Sequence, residues 1–122
     1  MIRRLVVVGV AGLALGLVAA PRDAAAQDAA KIETGKKVYA EAKPMACKAC
    51  HAVGGVGNAK GSLDGVGSKL KAEEIKAWMR TPKDMAAKAK ADRKPPMPAY
   101  SKEKVSDADL DAITAYLLSL KK

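Results

Sequence analysis

Both cysteines and the single histidine of this 122-residue chain fall within five positions, Cys47-Lys48-Ala49-Cys50-His51. No other stretch constrains the fold as much, because every thiol and imidazole is gathered at one point of the backbone. On a helical turn, residues at i and i+3 share a face. Cys47 and Cys50 then present two thiols together, and His51, at i+4 from Cys47, follows beneath them. Cys-x-x-Cys-His is the spacing that attaches a c-type haem. The thiols reach the two vinyl groups of a porphyrin, and the imidazole, a good ligand for iron, is aimed at the metal. Other chemistries fit poorly. A zinc site takes four ligands, and the sequence has no third cysteine and no second histidine. A thioredoxin-like pair belongs in a βαβ setting, and nothing around Cys47 alternates like a strand. A disulfide across two intervening residues closes too short a loop to constrain much.

Residues Met1 to Ala26 read as a secretory signal. Arg3 and Arg4 give a positive start, Leu5 to Ala20 is an apolar run, and Ala24-Ala25-Ala26 offers a cleavage site before Gln27. Ala20 is a poorer site because Pro21 would follow the cut. The apolar run is shorter than the ~20 residues needed to span a bilayer and contains three glycines, which argues against an uncleaved anchor. The Arg3-Arg4 pair hints at twin-arginine export, without surroundings that support that route. The expected mature chain, residues 27–122, is the size of one small domain. Its formal net charge is +7, against +9 for the whole chain. A basic exported protein points away from nucleic acid and toward acidic protein surfaces, which its charge would steer it to.

There is no Phe, one Trp and three Tyr, and much of the 49% hydrophobic content is alanine and the signal. A domain this small buries a modest share of its surface, so a large flat macrocycle would supply the missing core.

The spacing predicts a first helix over about 28–43, with Asp28 as N-cap and Pro44 as its stop. Ile32, Gly35, Val38, Tyr39 and Ala42 share one face. Gly35 costs ~1 kcal/mol against Ala in mid-helix, which suggests a place where another backbone comes close. Gly54 to Ser68 holds six of the ten glycines and reads as a loop; it lacks the Gly-Lys-Ser/Thr ending of a P-loop. One of its carbonyls could accept the Nδ1–H of His51. A helix follows over 72–80, with Glu73 and Glu74 in its first turn and Arg80 in its last. Its expected inner stripe is Leu70, Ile75, Trp78 and Met79, with the Trp78 indole finding a buried acceptor. Thr81-Pro82-Lys83-Asp84 resembles a capped N-terminus, opening a short solvated helix to Arg93. Three prolines keep 94–100 out of helix. The last helix starts at Ser106, with Asp109 as capping partner and Leu110, Ile113, Leu117 and Leu120 as its stripe. No strand is expected, so the mature chain reads as all-α.

Haem iron with one histidine needs a second axial ligand or leaves a position open. A second histidine does not exist here, whereas a methionine thioether is soft and raises the reduction potential. Met97 is the candidate, because its flanking prolines pre-set the loop that presents it. Met79 and Met85 fall in predicted helices, where methionine usually fills core gaps, and Met45 adjoins the histidine side.

On these residues the sequence resembles the class I c-type cytochromes, the small monohaem carriers of bacterial periplasms. The resemblance covers essentially the whole mature chain. Cys47, Cys50 and His51 match the early haem motif, Met97-Pro98 the late ligand loop, and Gly35, Tyr39 and Tyr116 the crossing of first and last helices. The Leu63-Asp64-Gly65-Val66-Gly67 segment and the Trp78 helix are similar too. It implies a cytochrome c fold of four to five short helices around one covalent haem, with iron between His51 and Met97. The family often has a proline whose carbonyl receives the ligand histidine, and this chain has Gly61 there. The four-helix-bundle cytochromes, whose motif lies near the C-terminus, are disfavoured.

The expected function is therefore periplasmic electron transfer, free or as the cytochrome partner of a dehydrogenase or oxidase, and not enzymatic turnover. Membranes would be met only by docking to membrane-bound redox enzymes. Lys83, Lys88, Lys90, Arg93, Lys94, Lys102 and Lys104 flank Met97 and suggest a docking ring for acidic partners. The alternative is a haem enzyme or gas sensor with an open sixth position. It lacks a second histidine for distal acid–base work and gives the Pro-Met-Pro loop no purpose.

Overall fold

A computed structural model describes residues 24–122, with side chains from residue 28. The expected signal, residues 1–26, lies outside the described residues except for its last three. Five helices are described: α1 (Ala24–Ala40), α2 (Val66–Lys69), α3 (Ala72–Arg80), α4 (Pro82–Ala89) and α5 (Asp107–Ser119). No helix among the described residues is long and apolar enough to cross a membrane.

The architecture is set by the crossing of α1 on α5. A side chain at Gly35 would collide with the carbonyl of Ala112 and lie 2.8 Å from Tyr116 Cβ, so the two backbones touch where the sequence suggested a close approach. One turn on, the Tyr39 and Tyr116 rings meet tilted, with centroids 5.7 Å apart, an arrangement aromatic quadrupoles favour. Around this crossing Met45, Val66, Ile75, Met79, Tyr100, Val105, Leu110, Ile113 and Leu117 close the core. Burying each large side chain contributes roughly 1.5–3 kcal/mol.

Several element ends differ from expectation. The first helix has no cap at Asp28; it begins at Ala24, extended by the alanine run, and ends at Ala40, before the residues that lead into Pro44. Helix α3 matches its expected bounds, and its first turn is closed by the Lys71 amide donating to Glu74 Oε2 at 2.8 Å. Ile75 and Met79 are buried, but Trp78 is only half-buried and stands outside the core cluster. Thr81 does not cap α4. Its hydroxyl donates back to the Ala77 carbonyl at 3.2 Å, a competing bond open to any helix-end threonine. Helix α4 stops at Ala89, short of Arg93. Lys90 turns left-handed at φ 52°, and the amides of Lys90 and Ala91 return to Ala87 and Ala86 as in a Schellman closure. Ser106 caps α5 as expected, accepting from the Asp109 amide at 3.1 Å.

The glycine-rich stretch is not one loop, and the chain is not wholly without strands. Ala52–Val53 (β1) and Val56–Gly57 (β2) pair antiparallel, Ala52 opposite Gly57 and Val53 opposite Val56. A 3-10 turn follows at Ala59–Gly61, then α2. The Gly67 amide of α2 donates to the Leu120 carbonyl at 2.8 Å, so an orphan donor of one helix meets an acceptor beyond the end of another.

Candidate functional site

Cys47–Ala49 forms a 3-10 turn entered through Ala46 at φ 47°. The amides of Cys50 and His51 both return to the Cys47 carbonyl, at 3.1 and 2.8 Å. This winding brings the two thiols and the imidazole of the sequence motif onto one turn. Both cysteines are free and half-buried, and burial pushes the Cys47 thiol up to about 11. Three further carbonyls of the motif are claimed from outside. Asn58 Nδ2 donates to Ala49 O at 3.2 Å, the Asn58 amide donates to His51 O at 3.0 Å, and Arg93 Nη2 donates to Cys50 O at 2.5 Å. Gly57, at φ 113°, lies so close that a side chain there would collide with the His51 carbonyl. The β1–β2 hairpin is thus the clamp that holds the turn.

The imidazole itself is fixed by one bond. His51 Nδ1 lies 2.9 Å from Gly61 O; a carbonyl only accepts, so Nδ1 carries the proton. Burial holds His51 below the ordinary histidine range; the Gly61 bond works against this, and the Arg93 charge reinforces it. A neutral ring protonated at Nδ1 leaves the Nε2 lone pair free for a metal. The loop carbonyl expected from the sequence is therefore that of Gly61, at the place where the resemblance anticipates a proline.

Met97 is half-buried on the irregular strap between α4 and α5, and it packs against the same core cluster as Cys47. The strap is pinned beyond it at Tyr100. That residue's amide donates to Met79 O at 2.9 Å, its hydroxyl to Met45 O at 2.9 Å, and its carbonyl accepts from Arg80 Nη1 at 2.8 Å. Arg80 also reaches Asp107 Oδ1 at 3.0 Å. Tyr100 thereby ties the strap to α3 and to the segment just before the Cys47 turn. Met79 and Met45 are core residues at 4% and 5% exposure, and Met85, half-buried, sits within α4; among the described residues Met97 is the methionine carried by a non-helical strap. Tyr100 is not singled out by sequence pattern, and Arg93 is only as one of the charges of the expected docking ring. Their partners stand 55 and 43 positions away, and only the proximity of both to Met97 marks them.

The donor set fits haem c. Two free thiols share one turn with an oriented neutral imidazole, and among the described residues no cluster of three or more His, Cys, Asp or Glu competes as a metal site. Cys47 and Cys50 would hold the porphyrin through thioether bonds, and His51 would hold the iron. The sequence model of the cytochrome c family matches residues 32–121. No curated protein and no solved structure matches the chain.

Proposed function

The chain belongs to the cytochrome c family, and we propose that it is a periplasmic carrier of single electrons, its haem iron held between His51 and Met97. The family's covalently bound haem c supplies, when present, a one-electron ferric/ferrous couple. The observation that carries the reading is the orientation of His51. Its Nδ1–H is spent on Gly61 O, so Nε2 is the nitrogen left to bind, and the ring cannot swing to do acid–base work. Met97 on its proline-stiffened strap would offer the iron a soft thioether, which favours the ferrous ion. With His51 and Met97 both holding the iron, the haem group would offer no open site to a substrate, and the protein's work would be to fix the potential and present a docking surface. Lys83, Lys88, Lys90, Lys94, Lys102 and Lys104 are all exposed along α4, the strap and the approach to α5. They supply the positive face for an acidic redox partner.

Optical spectra of the exported holoprotein, oxidised and reduced, test the ligation. A low-spin spectrum is expected, with a weak red thioether-to-iron band that Met97→Ala abolishes. A high-spin spectrum in the native protein, with added ligands binding freely, would instead mean an open sixth position and an enzyme or sensor. For the docking face, electron exchange with an acidic partner should slow steeply as ionic strength rises past the point where the Debye length falls to ~8 Å. A rate indifferent to salt would refute it.

A further inference from the structure

The strap that carries Met97 is fixed at its far end by the three bonds of Tyr100. Its near end is held by Arg93, four residues before Met97, whose Nη2 donates to Cys50 O at 2.5 Å. The guanidinium does not lie loosely over the surface. It occupies the volume that a side chain at position 61 would fill: a Cβ there would fall on Arg93 Nη1 and on Cys50 O, and lie 2.8 Å from Arg93 Cζ. Gly61 also supplies the carbonyl that orients His51. One glycine therefore serves two ends of the site, aiming the imidazole with its carbonyl and admitting the guanidinium with its missing side chain.

We propose that Arg93 is a positioning residue, which fastens the Met97 strap to the haem-attachment turn and holds a fixed positive charge beside His51. The proposal rests on the His51/Met97 reading above. A guanidinium stays charged at every accessible pH and grips a carbonyl through a rigid fork, so both effects are permanent. A positive charge near the iron favours the oxidation state with less positive charge, the ferrous one. Because Arg93 is exposed, solvent limits this to a few-fold effect. The tether acts separately. Without it the strap is held at one end only, and the thioether leaves ferric iron more readily for a competing ligand.

The test uses holoprotein carrying Arg93→Gln, Arg93→Lys or Gly61→Ala, read by potentiometry and by the imidazole concentration that half-bleaches the thioether band. Arg93→Gln should shift the ferrous–ferric equilibrium about threefold toward ferric, equivalent to ~28 mV at 59 mV per tenfold. It should also lower the half-bleaching imidazole concentration at least threefold. Arg93→Lys should keep the potential and lose the resistance to imidazole, because it retains the charge without the fork. Gly61→Ala should cause both losses and more, because its Cβ meets the Cys50 carbonyl as well as the guanidinium, and the part due to the carbonyl should persist in the Arg93→Gln background. Unchanged potential and bleaching in Arg93→Gln overturn the proposal. Absence of the band in the unsubstituted protein overturns the Met97 reading, and the strap with it. A band present there and unmoved by Arg93→Gln overturns the role of Arg93 alone.

Discussion

Substituting Gly35 by Ala should destabilise the protein even though alanine is the better helix former. In an exposed helix interior the change would add about 1 kcal/mol of stability. Here the new Cβ falls on the Ala112 carbonyl and 2.8 Å from Tyr116 Cβ. The first obstacle is backbone, which has no rotamer to change, so α1 must move off α5. A gap of about 0.5–1 Å forfeits a quarter to a half of the dispersion attraction across the contact. Overpacking of this kind costs ~1–3 kcal/mol, and a backbone obstacle belongs at the upper end. Set against the gain in propensity, the net loss is about 2 kcal/mol. For a domain near 100 residues that lowers the melting temperature by roughly 8–16 °C. Urea titration of the haem-loaded protein, followed by far-ultraviolet circular dichroism, measures it directly. Trimming Tyr116 to Ala in the same chain should not restore stability, because the carbonyl remains in the way. A Gly35→Ala protein as stable as the parent would refute the claim that the backbones touch here.

Three further outcomes follow from the geometry. Ser106→Ala removes the acceptor for the Asp109 amide and should cost about 1 kcal/mol in the same titration; no loss would mean that another group closes α5. Tyr39 Oη is buried with no hydrogen-bond partner among the described residues, so Tyr39→Phe should stabilise by about 1 kcal/mol, and a loss instead would reveal a partner supplied by the cofactor. The same residue sets an alkaline limit: burial pushes its hydroxyl from 10.0 to about 12. The unfolded chain releases this proton near pH 10 while the native one keeps it, so stability present below pH 10 is lost as pH rises toward 12. Tyr39→Phe should flatten that part of the curve.

What could be read in advance followed from local chemistry. Ser106 and Asp109 marked the start of α5, because a cap needs only neighbours three residues apart; Glu74 was placed in the first turn of α3 for the helix dipole, and its bond to the Lys71 amide is what the structure adds. Gly35 was legible because its cost within a helix demanded a reason. The β1–β2 hairpin was not, since strands of two residues carry no period, and α2 is a single turn hidden among glycines. Thr81 misled because its hydroxyl had two acceptable partners and the preceding helix won. Trp78 stands half-buried at the side of α3, because Ile75 and Met79 already fill the face turned to the core. In the site, the spacing of Cys47, Cys50 and His51 predicted the single turn on which the structure gathers them. The Gly61 carbonyl was anticipated in kind, and the insertion of Arg93 at position 61 was not. No one-dimensional pattern links a glycine to an arginine 32 positions later.

The crossing of α1 on α5 also bears on the order of events during synthesis. The turn bearing the thiols leaves the ribosome well before the helix that must lie across Gly35. At ~5–20 residues per second, α5 begins to appear roughly 3–11 s after His51. During that interval α1 has no partner, Tyr39 has no Tyr116 to lean on, and the strap has no Ser106 beyond it. Cys47, whose thiol the finished fold half-buries and makes a poor nucleophile, spends that time in open chain. The fold thus completes its central helix crossing last, after every residue of the attachment turn has been made.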